Sequence, residues 1–537
     1  MNEEIAEYYE ELYRLYIDEN QPLERRYRQL RESLERVVRE RIQGNSLQTT
    51  DLAARINYVA TQYELDIKEQ NQLHTFRLTS NDILNHRKFP AKEEFLRDLR
   101  AVAFAYRKMF AQDIPLKLFS VLPKQEITSL GKKEKKEYIR RIRVCFDYAD
   151  DTYLYVHPVD IIADEPIRVV YNKPGINHEF EETIKELWRY AQLNLLDVFV
   201  DREGIYTPSF IVLEPDYLID ISSLAECYKD YGSHPANYFL SRLVPIDNAR
   251  PLLLGNIANL FLDEWIHAGE EEPDYIDCMK KAFRQYPIEL AACAELRDPS
   301  KEKEFAKDCR MHFEHIRDIV QHTFLEPGYN LDKKDAVLEP SYICEALGIQ
   351  GRLDYMQRDM SSFIEMKSGK ADEFSIQGKV EPKENNKVQM LLYMAVLEYS
   401  MGQDRRRMHP YLLYTRYPLL YPARASWAQV RRVINLRNRI VAAEYGVQFH
   451  NHSDFTRNLL AQINPEVMNE RKLRGKFWEQ YLKPSISRFR EKLSALEPLE
   501  QAYFYTLYNF ITKELYTSKS GDVDYEGRAG ASALWLS

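Results

Sequence analysis

Gly351-Arg352-Leu353-Asp354, followed by Phe363-Ile364-Glu365-Met366-Lys367, is the stretch on which the reading of this chain turns. Residues 343–356 read as two short strands around a turn at Gly348-Ile349-Gln350-Gly351, and residues 362–367 read as the next strand. Side chains alternate along a strand, so Glu365 and Lys367 share one face while Ile364 and Met366 turn to the core. Residues 384–401 read as a helix on which Gln389 and Tyr393 share a face and can point at the same pocket. Two carboxylates and an amine in this order fit metal-dependent phosphodiester cleavage. Carboxylates hold hard divalent cations, the cation activates water and neutralises phosphate charge, and the amine orients or deprotonates that water. Taken singly, Asp354 also reads as a turn-flanking acid, Glu365 and Lys367 as a solvated pair on an edge strand, and Gln389 and Tyr393 as helix surface and core. Only the ordered set argues for a site.

That set, G-x-x-D, E-x-K and Q-x-x-x-Y, resembles the PD-(D/E)XK nuclease superfamily in its RecB-like branch. With Ser368-Gly369-Lys370-Ala371 and Tyr411-Leu412-Leu413-Tyr414, it looks most like the nuclease domain of the flap-processing nuclease-helicases. The resemblance covers residues 338–415. It implies a restriction-endonuclease-like mixed sheet flanked by helices and a Mg2+- or Mn2+-dependent deoxyribonuclease acting on single-stranded or flapped DNA. By it, Asp354, Glu365 and the carbonyl of Met366 hold the metal, Lys367 serves the attacking water, and Gln389 and Tyr393 position Lys367 or the DNA backbone. Arg352 and Lys370 flank the pocket as candidate phosphate contacts or as plain surface charge.

Two departures stand out. RecB-like nucleases often carry an upstream histidine ligand in a G-x-x-x-H pattern. If Gly255 is the matching glycine, Asn259 occupies the ligand position here, a weaker oxygen donor that alters metal preference. His267, two turns on, reads as a helix-surface histidine. Several relatives also hold an iron-sulfur cluster through one cysteine before the motifs and three after them. The six cysteines here are Cys145, Cys227, Cys278, Cys293, Cys309 and Cys344, none after Gln389 and none in a C-x-x-C pair, so no cluster and no zinc site is expected. Cys227 reads as a buried helix residue after a capping box of Ser223 and Glu226.

With 537 residues and 45% hydrophobic content the chain can build several cores. Its acidic start, Met1-Asn2-Glu3-Glu4, and the lack of a long apolar run lead to the expectation of a cytoplasmic protein with no membrane partner. The net charge is −9, yet Arg405, Arg406, Arg407, Arg416, Arg424, Arg431, Arg432, Arg437 and Arg439 follow one another with no acid between them. Interleaved with Tyr411, Tyr414, Tyr417, Tyr421 and Trp427, they read either as a DNA path or as a solvated helix face beside an aromatic core strand.

Outward from the motifs the chain is expected to be α/β and multidomain. Residues 1–112 read as helical, with Leu23, Tyr27, Leu30, Leu34, Val38 and Ile42 at helical spacing. Residues 113–215 read as β-rich, with one helix near 181–194, and an OB-like barrel suited to single strands is the expected form. Residues 216–425 form the nuclease-like region and 426–537 a helical one, with a loop at 518–522 and an apolar end at 531–537. No G-x-x-x-x-G-K-(S/T) loop occurs, so no ATP site is expected. A nuclease of this kind would work in DNA repair or replication with a separate helicase, or as part of a longer polypeptide carrying one. The alternatives are a DNA-binding scaffold with a weakened site and an effector nuclease of antiphage defence.

Overall fold

The computed structural model describes residues 3–42, 52–124, 137–163, 165–243, 249–329, 331–374, 379–424, 426–449 and 453–520; the apolar end at 531–537 lies outside them. The chain is mixed α/β, and no described helix is long and apolar enough to cross a membrane. It divides into two compact units, residues 1–215 with 441–451 and 512–537, and residues 216–440 with 452–511.

The first unit opens on α1 (Glu3–Ile17), α2 (Leu23–Ile42), α3 (Leu52–Gln62), α4 (Ile67–Leu84), α5 (Lys92–Phe110) and α6 (Leu116–Phe119). The helical spacing on α2 places Tyr27, Leu30, Leu34, Val38 and Ile42 in one apolar core with α4 and α5. Asp66 starts α4 by accepting from Lys68 N and Glu69 N while Glu69 accepts in return from the Asp66 N–H, a reciprocal cap. The strands that follow are β1 (Tyr138–Ala149), β2 (Tyr153–Pro158), β3 (Ile167–Val170), β4 (Gln192–Val200), β5 (Tyr206–Thr207) and β6 (Phe210–Leu213), with α7 (Glu181–Lys185) between β3 and β4. β1 pairs with β2 and with β4, so the order β1-β2-β3-β5-β4 closes on itself, and β6 continues along β4 beyond β5. β3 and β5 run parallel. The helix expected near 181–194 is a correction: it stops at Lys185, and Gln192 begins a strand. The buried run Leu193, Leu195, Leu196 and Val198 lacks the polar alternation that marks a half-exposed strand.

The second unit contains β7 (Ile219–Asp220), α8 (Ile221–Ala225), α9 (Ala236–Leu243), α10 (Arg250–His267), α11 (Tyr275–Gln285), α12 (Pro287–Ala292) and α13 (Pro299–Gln321). Then come β8 (Ala336–Leu338), β9 (Ser341–Cys344), β10 (Ile349–Arg352), β11 (Tyr355–Gln357), β12 (Ser362–Lys367), β13 (Asp372–Phe374), β14 (Lys379–Glu381), α14 (Glu384–Met401), β15 (His409–Tyr414) and β16 (Leu419–Pro422). The remaining helices are α15 (Trp427–Phe449), α16 (Ser453–Ala461), α17 (Pro465–Met468), α18 (Lys483–Ser494) and α19 (Pro498–Ser520); the loop expected at 518–522 is therefore helical through Ser520. The main sheet has the order β16-β15-β12-β11-β8, with β12 parallel to β15 and the other neighbours antiparallel. α14 is the crossover helix between β12 and β15, the connection a parallel pair needs. Ile364 and Met366 enter a core with Ile257 and Phe261 of α10 and Phe313 and Ile316 of α13. Strand alternation then sends Glu365 and Lys367 the other way.

β9 and β10 form the expected hairpin, but its turn is 345–348, three residues earlier than expected. Gly348 closes the turn at φ +65°, and a Cβ there would lie 2.6 Å from the Arg437 Cζ. Arg437 is fully buried on α15 and donates to the carbonyls of Gly348 and Tyr217. The capping box expected at Ser223 and Glu226 is also absent: Ser223 lies inside α8, whose N-cap is Asp220, and Glu226 follows the helix.

Candidate active site

Glu365 and Lys367 leave β12 on the side facing α14. Lys367 Nζ lies 2.8 Å from Glu365 Oε1 and 2.9 Å from Gln389 Oε1, and Gln389 Nε2 donates to the same Glu365 oxygen at 2.6 Å. Amine, carboxylate and amide therefore form a closed triangle that fixes all three rotamers. Asp354, in the two-residue link from β10 to β11, accepts the Met366 N–H at 2.6 Å, which brings the two carboxylate-bearing segments together. Glu365 Oε2 is buried and has no hydrogen-bond partner among the described residues. A buried acceptor left without a partner is costly unless something fills the place.

The electrostatics have the same character. Burial pushes the Glu365 carboxyl up to about 8, and the neighbouring Asp354 charge adds to that, against the pull of Lys367. Burial also raises Asp354, against the Met366 N–H and Lys367. Burial alone would lower Lys367, but Glu365 and Asp354 outweigh it and hold the ammonium in place.

The glycine and tyrosine of the motifs act on each other. A Cβ on Gly351 would lie 3.1 Å from the Tyr393 hydroxyl and 3.1 Å from Ile221 Cδ1, so glycine lets β10 pass beneath α14 and α8. Tyr393 then donates to the carbonyl of Arg352, two residues before Asp354. Burial raises the Tyr393 phenol far above its usual range, so it remains a donor.

α10 carries Gly255 and Asn259. A Cβ on Gly255 would lie 3.3 Å from Ser368 Oγ, which sets this helix against the end of β12. Asn259 and Asp263 follow at four-residue intervals on the same face. Burial, then Glu339 and Asp354, raise the Asp263 carboxyl to about 6. Glu339 itself is fastened to the site, its N–H donating to the Asp354 carbonyl at 3.1 Å and its carboxylate pairing with Arg352 at 3.0 Å. Glu226 accepts from Asn385 of α14 at 3.0 Å, and its charge reaches Lys367. Asp263, Glu339 and Glu226 escaped the sequence reading. For Asp263 the signal was available, as the acid one turn beyond Asn259 on the glycine face; Glu226 and Glu339 arrive only through tertiary packing.

The remaining expected residues disperse. Arg352 and Lys370 are exposed. The arginine run does not form one face: Arg406, Arg407, Arg424 and Arg432 are exposed, Arg416 is half-buried, and Arg431 and Arg437 are buried. Arg405 pairs with Glu398 at 2.7 Å and stacks over Trp427 at 4.3 Å. Tyr411 and Tyr414 are core residues, and Tyr414 accepts from Lys383 N and Asn386 Nδ2. His267 is an exposed helix residue whose Nδ1 meets the Asp263 carbonyl. All six cysteines are buried and unbridged, with Cys227 donating to the Ser223 carbonyl.

Among the described residues no three His, Cys, Asp or Glu side chains gather closely enough to enclose a metal ion by themselves. Asp354 and Glu365 supply two carboxylates, brought together by the bond from the Met366 N–H to Asp354. The orphaned Glu365 Oε2 and the two carboxyls raised by burial and proximity suit a hard divalent cation. No protein-family model matches the chain, and no curated protein matches it.

Proposed function

We propose that this chain is a divalent-cation-dependent deoxyribonuclease whose second unit is a RecB-type PD-(D/E)XK core. The observation that carries the reading is the triangle of Lys367, Glu365 and Gln389 beside the buried, unpartnered Glu365 Oε2. Asp354, Glu365 and the Met366 carbonyl would hold Mg2+ or Mn2+, with Asp263 as a further acid on the α10 face. When bound, the cation lowers the pKa of water and neutralises charge on the scissile phosphate.

The chain's own residues do the rest. Lys367 keeps its ammonium between Glu365 and Gln389, where it offsets charge growing on the phosphate and orients the attacking water. Gln389 holds both partners in register, and Tyr393 clamps the strand that delivers Asp354. Substitution of the expected histidine by Asn259 does not empty the α10 face of acids, since Asp263 lies one turn on. Single-stranded or flapped DNA, processed in repair or replication beside a helicase, is the substrate class that the motif resemblance favours.

The closed strand ring of the first unit, with β3 parallel to β5, α7 between β3 and β4, and β1 pairing at both edges, is read as an OB-type barrel. The test is incubation with end-labelled single-stranded, duplex and flapped DNA, with and without Mg2+ or Mn2+. Cation-dependent cleavage by the wild type, abolished in Asp354→Ala, Glu365→Ala and Lys367→Ala, supports the reading. Wild-type cleavage by all three variants removes the site.

A further inference from the structure

On the outer face of the barrel, Tyr148 of β1 lies opposite Tyr155 of β2, and Tyr155 lies opposite Arg168 of β3. The two tyrosine rings are stacked, with centroids 4.2 Å apart and planes 11° from parallel. Tyr153 stands edge-on to Tyr155 at 6.5 Å and carries the Arg168 guanidinium over its own ring at 5.6 Å. Tyr148 remains 51% exposed although one of its faces is covered by Tyr155, which leaves its other face to solvent.

The ladder is held in shape. Asp150, in the β1–β2 turn, accepts from Thr152 N and Tyr153 N through Oδ1 and from the Tyr155 hydroxyl through Oδ2 at 3.0 Å. Tyr171 donates to the Asp150 carbonyl and Asn172 to that of Asp151, tying the end of β3 to the same turn. The aromatic rings are thus prepositioned, which reduces the rotamer entropy lost on binding a planar ligand. Acids nearby are largely engaged: Asp150 as above, and Asp147 with Arg189 at 2.8 Å and His157 at 3.4 Å, while Asp151 at the turn stays exposed. A flat aromatic platform flanked by a guanidinium suits a chain of bases joined by phosphates, because every base has a π face and each linkage an anion.

We propose that Tyr148, Tyr155, Tyr153 and Arg168 form a stacking site for single-stranded DNA, separate from the pocket around Lys367. The choice of DNA over other planar ligands rests on the nuclease reading. The site would hold bases by stacking and place a linking phosphate beside Arg168, without sequence preference.

The test uses the full chain and a 5′-fluorescein-labelled twelve-residue oligothymidylate in EDTA, so that no cleavage intervenes, with binding followed by anisotropy. Tyr148→Ala with Tyr155→Ala is expected to weaken binding at least ~10-fold, and Tyr148→Phe with Tyr155→Phe, which keeps both rings and gives up the Tyr155 bond to Asp150, to bind clearly more tightly than the alanine pair. Equal affinity for the alanine pair and wild type overturns the proposal, and so does a phenylalanine pair as weak as the alanine pair. Should the alanine pair not fold, photocrosslinking of wild type to an iododeoxyuridine oligonucleotide decides: adducts at Tyr148, Tyr153 or Tyr155 support the site, and their absence overturns it. Binding through the ladder without cleavage under any cation would retain this site and refute the nuclease reading. Cleavage with no loss of affinity in the alanine pair would do the reverse.

Discussion

Lys367 on β12 and Arg437 on α15 are cations withdrawn from water within the same unit, and they are withdrawn in opposite ways. Arg437 is fully buried, and its guanidinium donates to the main-chain carbonyls of Gly348 and Tyr217, far apart in sequence, and to the Asn438 side chain. Lys367 keeps 26% of its side chain exposed and touches a carboxylate whose second oxygen has no hydrogen-bond partner among the described residues. One arrangement is complete and the other is unfinished. Packing for stability consumes polar capacity, whereas a site that must receive a ligand leaves some of it unmet.

The sharpest way to break this contrast is to exchange each cation for methionine, which keeps length and removes charge. Arg437→Met should lower stability by on the order of 3 kcal/mol, since the Gly348 and Tyr217 carbonyls would each give up a buried charged donor. Chemical denaturation measures this, and an unchanged midpoint would mean the guanidinium is not the staple described here. Lys367→Met should instead leave the denaturation midpoint nearly in place while cleavage falls at least ~100-fold, about 2.7 kcal/mol in the barrier. A variant that unfolds like Arg437→Met would make Lys367 a structural cation too.

A smaller effect is expected at the edge of the pocket. Asp263→Asn should raise the Mn2+ concentration for half-maximal cleavage by roughly tenfold with the plateau rate largely retained, the behaviour of a group that supports metal ligands. A metal-titration curve that coincides with wild type would remove α10 from the site. The smallest effect belongs to the exposed members of the arginine run. Reversing Arg406 and Arg407 to glutamate should reduce the log-log salt slope of DNA binding by roughly 0.7 to 0.9 for each phosphate that is no longer neutralised, with cleavage partly restored at saturating enzyme. An unchanged slope would leave these two as ordinary solvated charges.

The sequence was most readable where chemistry and local geometry coincide. Glu365, Lys367, Gln389 and Tyr393 lie on elements whose bounds, Ser362–Lys367 and Glu384–Met401, follow from period and composition alone, and their convergence follows from strand alternation and helical spacing. Gly351 was legible as a motif position, but its cause, the approach of Tyr393 and Ile221, is tertiary. The arginines were not separable in the same way, because Arg431 and Arg432 are adjacent in sequence and only the packing of α15 buries one and exposes the other. β4 was hidden for a related reason: a strand covered on both faces reads as an apolar run, and an apolar run near a helix reads as more helix. Glu339 and Glu226 reach the site from segments with no distinguishing pattern of their own.

If the carboxylates around Lys367 form an incomplete cation site, the metal-free protein should bind Mn2+ there. Electron paramagnetic resonance of free Mn2+ during titration should reveal saturable uptake by wild type, and Glu365→Gln, which keeps the shape of the side chain but removes its charge, should lose it. Uptake by the glutamine variant equal to that of wild type, or no saturable uptake by wild type at all, would mean that Glu365 holds no cation.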